Sequence, residues 1–120
     1  MAKEHIEVFS LAARTATPTD ANVTIPNSCG VFVINVTAAT ATPSVVFAVN
    51  GVDSLGNEYN IITSAAITGT GTTVLRVFPG ATASANVTVN DMLMTDAINV
   101  SATHGDADSI TYSVEFHGAL

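Results

Sequence analysis

Apolar residues recur at every second position along most of this chain, and that period commits it to β-strands rather than helices. The clearest run is Ile110-Thr111-Tyr112-Ser113-Val114-Glu115-Phe116-His117. Ile110, Tyr112, Val114 and Phe116 fall on one face, and Thr111, Ser113, Glu115 and His117 on the other. Two earlier runs, Gly30–Val36 and Ser44–Val49, are apolar on both faces. A strand of that kind is either central and covered, or it turns one face into a subunit contact. A single small sandwich has few layers to cover both faces, so the second reading is favoured. It makes Val31 and Val33 of one strand, and Val45, Phe47 and Val49 of the other, candidate interface residues. Arg76 joins them, because it interrupts the apolar strand Val74-Leu75-Arg76-Val77-Phe78. The other reading of Arg76 is a surface arginine whose stem lies along apolar neighbours.

Further strands are expected over Glu4–Ala16, Tyr59–Ser64, Thr72–Phe78, Ala85–Val89 and Ile98–Thr103. Between them lie turn residues: Asn50-Gly51, Leu55-Gly56-Asn57, Gly69-Thr70-Gly71, Pro79-Gly80 and His104-Gly105-Asp106. Pro18 and Pro26 flank Thr19–Thr24, which reads as a loop or an edge strand. No ten-residue stretch has the helical period, and Asp91–Ala97 offers room for one helical turn at most. The reading is all-β: a single-domain antiparallel β-sandwich, jelly-roll or Ig-like, with roughly seven or eight strands. Residues 1–120 form one domain, and residues 1–7 are expected to serve as a flexible N-terminal arm.

Charge narrows the partners. Only 11% of the residues are charged, against about 25% in a typical globular domain, although 48% are hydrophobic. The polar surface must be built from Thr, Ser and Asn, and a surface so poor in charge suits one that is partly covered. The formal net charge is −7, and Lys3, Arg14 and Arg76 are the only strong cations. No basic patch can form, which argues against nucleic acid and against anionic membranes. The N-terminal residues alternate and show neither a signal-peptide core nor a membrane-spanning stretch. Cys29 is the single cysteine, so no intrachain disulfide forms, as suits a reducing cytoplasm. Four Asn-x-Ser/Thr sequons, at Asn22, Asn35, Asn86 and Asn99, are what a Thr-rich and Val-rich chain produces by chance.

Catalytic readings lack material. Cys29 with His5, His104 or His117 would be needed for nucleophilic catalysis, but Cys29 opens an apolar strand and reads as a core residue. His5 and His117 lie near the chain ends and read as solvated side chains. Asp106 and Asp108 have the spacing of a partial calcium loop, but further oxygen ligands do not follow, and aspartates also shape turns. Gly69-Thr70-Gly71 lacks the lysine and the helix of a phosphate loop. Without tryptophan, and with aromatics at 6%, a sugar-stacking or single-strand-binding platform is disfavoured. No enzyme activity, cofactor or metal is expected.

The runs Thr40-Ala41-Thr42-Pro43-Ser44-Val45-Val46-Phe47, Ser64–Gly80 and His104–Ser113, together with Ala12-Ala13-Arg14-Thr15-Ala16-Thr17, resemble a group of small proteins of tailed bacteriophages and prophages. The run Ser64–Gly80 carries the most specific part of that resemblance. It implies a virion protein made in the bacterial host cytoplasm. Among small all-β phage proteins, a compact chain without a long helix looks most like a capsid decoration (cement) protein. Such a protein would sit on the capsid surface, with the major capsid protein as partner, and form a homo-oligomer, a dimer or trimer. The alternatives are a tail, neck or fibre subunit, or a host-surface-binding sandwich module such as an adhesin or lectin domain. The resemblance brings no catalytic motif, and no functional residue is carried over from it.

Overall fold

The alternation sorts side chains into an inward and an outward set, and two sheets form by burying the inward sets against each other. A computed structural model describes residues 3–119. They form nine strands and no helix: β1 (Lys3–Arg14), β2 (Ala21–Thr24), β3 (Cys29–Ala39), β4 (Val45–Val52), β5 (Glu58–Thr63), β6 (Gly71–Val77), β7 (Thr88–Val89), β8 (Ala97–His104) and β9 (Ile110–Ala119). One sheet has the order β1-β9-β3-β6-β7 and the other β2-β8-β4-β5. Successive strands cross from sheet to sheet, apart from the β4–β5 hairpin and the β6–β7 step. The first and last strands lie side by side. This interleaving is that of a jelly roll, and it sets aside the Ig-like alternative.

From the five-stranded sheet, Phe32, Ile34, Leu75, Val77, Tyr112, Val114 and Phe116 point inward and are buried. Val45, Phe47, Val49, Ile98, Val100 and Ala102 meet them from the four-stranded sheet. The rings of Phe47 and Tyr112 contact edge to face at 5.1 Å across the sandwich, and Phe32 lies 5.0 Å from Phe116. Gly30 and Gly118 face each other on β3 and β9. A Cβ on either would overlap the Phe116 ring, so both positions must lack one for that ring to lie flat over the strands.

The edges are blunted. β1 is long, but it carries Lys3, Glu4, Glu7 and Arg14, and its register with β9 shifts twice between Glu7 and Ala12. Charge and bulges both discourage further pairing at an edge. On the β4–β5 hairpin, Asp53 Oδ1 accepts the backbone N–H groups of Leu55 and Asn57, both at 2.9 Å. Those bonds, that of Asn57 foremost, hold the Asp53 carboxyl below its ordinary range.

Several expectations change. The count is nine because Ala21–Thr24 is an edge strand, paired with β8. The expected strand over Ala85–Val89 shrinks to Thr88–Val89, and it pairs with β6 in parallel, so the sandwich is not wholly antiparallel. Asp91–Ala97 holds no helical turn. Leu93 is buried there, its N–H donates to Ser28 O at 2.7 Å, and the segment runs irregularly into β8. Of the expected arm, Lys3–Glu7 pair with Glu115–Ala119 as the first half of β1, while Met1 and Ala2 lie outside the described residues. Cys29 is half-buried at the start of β3, outside the core, with its thiol 3.4 Å from Ala119 O.

The outer side of the four-stranded sheet is crossed by asparagines. Asn22, Asn99, Asn50 and Asn60 occupy successive strands β2, β8, β4 and β5. Asn60 Nδ2 donates to Asn50 Oδ1 at 3.1 Å, Asn50 Nδ2 to Asn99 Oδ1 at 3.2 Å, and Asn99 Nδ2 to Asn22 Oδ1 at 3.1 Å. Asn99 Nδ2 also donates to the Asp20 carboxylate at 3.3 Å. An ionised carboxylate only accepts, so Asp20 forces the nitrogen end of Asn99 toward β2, and every amide behind it must point the same way. The four amides form one directed chain from Asn60 to Asn22 that branches at Asn99 to the Asp20 carboxylate, an arrangement in which each bond polarises the next. Asn99 is 2% exposed. Replacing it with alanine strands the Asn50 donor and interrupts the chain, so Asn99→Ala should cost about 1–3 kcal/mol in urea unfolding. Asn60→Ala, at the solvated end, should cost under about 1 kcal/mol. Equal costs would show that the chain does not act as a unit.

Candidate functional site

The outer side of the five-stranded sheet gathers the groups with chemical or adhesive potential. Its rows follow from the register. One row runs His5 on β1, His117 on β9, Val31 on β3 and Arg76 on β6; the next runs Glu7, Glu115, Val33 and Val74. A third carries Ser113, Asn35 and Thr72, and Thr72 Oγ1 donates to Asn35 Oδ1 at 2.7 Å. Val31, Val33 and Val74 are half-buried and adjacent in the register, forming an apolar strip bordered by the exposed Arg76 and by the imidazoles.

Three of the six candidate interface residues therefore meet here: Val31, Val33 and Arg76. The other three do not. Val45, Phe47 and Val49 are at most 1% exposed and pack against Tyr112 and its neighbours inside the sandwich, so as folded they offer nothing to a partner. The residues that β4 turns outward are Val46, Ala48, Asn50 and Val52. The sequence shows that β4 is apolar on both sides, but not which side meets the other sheet.

The histidine pair is a feature that the sequence reading missed. His5 and His117 stack with ring centroids 4.8 Å apart and planes inclined by 15°. His5 Nε2 is hydrogen-bonded to Glu115 Oε2, and His117 Nε2 lies 3.9 Å from the same oxygen. The signal was available only through topology. In a jelly roll the first and last strands are neighbours, which brings residues near the two chain ends together. An open groove of about 400 Å³ adjoins the pair, with Cys29, Gly30 and Phe78 on its walls.

A second polar cluster closes the far end of β1. The Arg14 guanidinium sits 4.5 Å from the centroid of the Tyr112 ring and 5.4 Å from that of Phe9. It donates to Tyr112 O and Ser10 O, both at 2.9 Å, and to Ala12 O at 3.1 Å, so it serves carbonyls around the bulge. Tyr112 Oη pairs with His104 Nε2 at 3.0 Å, and the His104 backbone N–H donates to Thr17 Oγ1 at 2.9 Å. With Tyr112 fully buried, this group lacks an open face for a substrate and acts as a lock between β1, β8 and β9.

Asp106 and Asp108 shape the turn before β9. Asp106 Oδ1 accepts the N–H of Asp108 at 3.0 Å, and Asp108 Oδ2 accepts the N–H of Thr42 at 3.1 Å. Asp106 thus closes its own turn, and Asp108 ties that turn to the β3–β4 connection. No family model, curated protein or solved structure matches this chain.

The lock gives the fold a pH dependence at both ends. Burial pushes the Tyr112 phenol up to about 12, with Arg14 opposing it. The native state thus favours the protonated phenol. That contribution is complete below pH 10 and is lost as pH rises from 10 toward 12. Burial, and then the Arg14 charge, lower the His104 pKa below 6.5, while Asp106 opposes them. That contribution is complete above pH 6.5 and is lost as pH falls through the lowered value. Chemical unfolding from pH 4 to 12 should show stability declining at both limits. Tyr112→Phe should flatten the alkaline limb, and His104→Gln should weaken the acid limb, which other groups share. An unchanged alkaline limb in Tyr112→Phe would contradict this assignment.

Proposed function

We propose that this chain is a structural protein of a tailed-phage virion, a decoration protein that binds the outer capsid lattice and stabilises the head without catalysis. The observation that carries the reading is the apolar strip of Val31, Val33 and Val74, flanked by Arg76, on the outer face of the five-stranded sheet. Hydrophobic strips on rigid, charge-poor sheets suit burial against another protein. The resemblance of Ser64–Gly80 and the other runs to phage proteins supplies the setting. The jelly roll is an architecture that viral capsid domains use, although a fold alone does not fix a function.

Decoration asks little of any one contact. A dimer or trimer that engages several lattice points gains affinity through effective concentration, so a modest strip per subunit suffices. The partner in this reading is the major capsid protein, and the acidic remainder of the surface would keep particles apart.

Purified protein mixed with mature capsids that lack it should co-sediment and saturate at a copy number set by the lattice. Val33→Asp places a charge in the middle of the strip and should weaken binding by more than about tenfold, a loss above 1.4 kcal/mol. Its circular dichroism spectrum should stay that of the parent, because Val33 faces away from the core. Saturation at a few copies per particle would point to the tail, neck or fibre. No binding at all would reject a capsid contact and likewise move the reading to the tail, neck or fibre.

A further inference from the structure

We propose that His5, Glu115 and His117 form a binding site for a divalent transition-metal ion of the zinc class on the outer face of the five-stranded sheet. This inference is independent of any capsid role.

The geometry is that of a site needing only side-chain adjustment: His5 Nε2 and Glu115 Oε2, now hydrogen-bonded to each other, must part to admit an ion, and His117 must close on them. One ligand atom from each of the three residues lies within 4.8 Å of the other two. In tetrahedral zinc sites, metal–nitrogen bonds of about 2.0–2.1 Å and metal–oxygen bonds of about 2.0–2.2 Å put ligand atoms about 3.3–3.5 Å apart. The His117 Nε2 to Glu115 Oε2 separation of 3.9 Å is close to that already. That adjustment is a matter of side-chain rotation, and the His5 and His117 side chains are 59% and 50% exposed. The backbone under them is fixed. His5 and His117 are direct partners across β1 and β9, and Glu115 lies two residues before His117 on the same face.

The donor set selects the class of ion. Two imidazoles with one carboxylate suit zinc, cobalt, nickel or copper, whereas calcium and magnesium require mostly oxygen. Three protein ligands leave one position open toward solvent. Glu7 lies directly opposite Glu115 on the same face. Two carboxylates facing each other repel, and a dication beside them would offset that repulsion. The bound ion would also tie the edge strand β1 to the central β9 by a link outside the backbone ladder.

The test is calorimetric titration of zinc chloride into the full chain at pH 7.5, after dialysis against a chelator. The expected result is one zinc ion per chain and a rise in Tm, with no heat from magnesium or calcium. His5→Ala and His117→Ala should each weaken zinc binding by at least about tenfold, the scale on which even outer-shell partners act. Both histidines are exposed, so these variants should fold, and an unchanged Tm of the metal-free protein checks that. Cobalt supplies a second readout: it should give visible absorption without the near-ultraviolet thiolate band that ligation by Cys29 would produce. No binding at millimolar zinc, equal binding by the alanine variants, or a thiolate band would overturn the proposal.

Discussion

Tyr112 joins the two sheets, and the rest of the structure depends on that junction. Its ring meets Phe47 across the sandwich and Phe9 within its own sheet, the latter at 6.2 Å. Its hydroxyl reaches His104 on β8, and Arg14 from β1 covers its face. Once Tyr112 faces inward, alternation fixes every other residue of β9, and the register carries the choice to β1 and β3. Glu115 and His117 must then face out, and so must Val31, Val33 and His5. The surface is thus a consequence of the core, since a one-residue slip would exchange the two sets.

The two outer faces that result differ in chemistry. The four-stranded sheet turns out a chain of hydrogen-bonded amides, with Asp20 accepting from Asn99, beside the half-buried Val46 and Ala48 of β4. The five-stranded sheet turns out aliphatic side chains, an arginine, and a histidine–glutamate cluster. A face that already satisfies its hydrogen bonds loses little by staying in water. An aliphatic strip gains by leaving it, at roughly 25 cal/mol per Å² of apolar surface. This contrast directs the proposed contact to the five-stranded side.

Much of the fold could be read from the residues. The period of β9 and the apolar runs of β3 and β4 gave strand positions close to those observed, and the turn residues marked the hairpin between β4 and β5. Scarcity of charge foretold a surface built from Thr, Ser and Asn, and the asparagine chain is its most ordered part. What could not be read was long-range. Val45, Phe47 and Val49 resemble Val31 and Val33 in a local window, and only the packing of sheet on sheet separates core from surface. His5 and His117 are over a hundred positions apart, so their stacking needs the strand order, which local pattern does not contain. Leu93 shows the same limit, being drawn into the core from a segment whose composition suggested a helical turn.

The central claim is that the outer face of the five-stranded sheet is the working surface and the capsid exterior its target. Electron cryo-microscopy of virions carrying this chain tests it most directly. The expected result is sandwich-shaped density repeated over the outer capsid lattice, with Val31, Val33 and Val74 against the capsid and the asparagine face directed away. Density confined to the tail or neck, or a capsid contact made through the asparagine face, would contradict it.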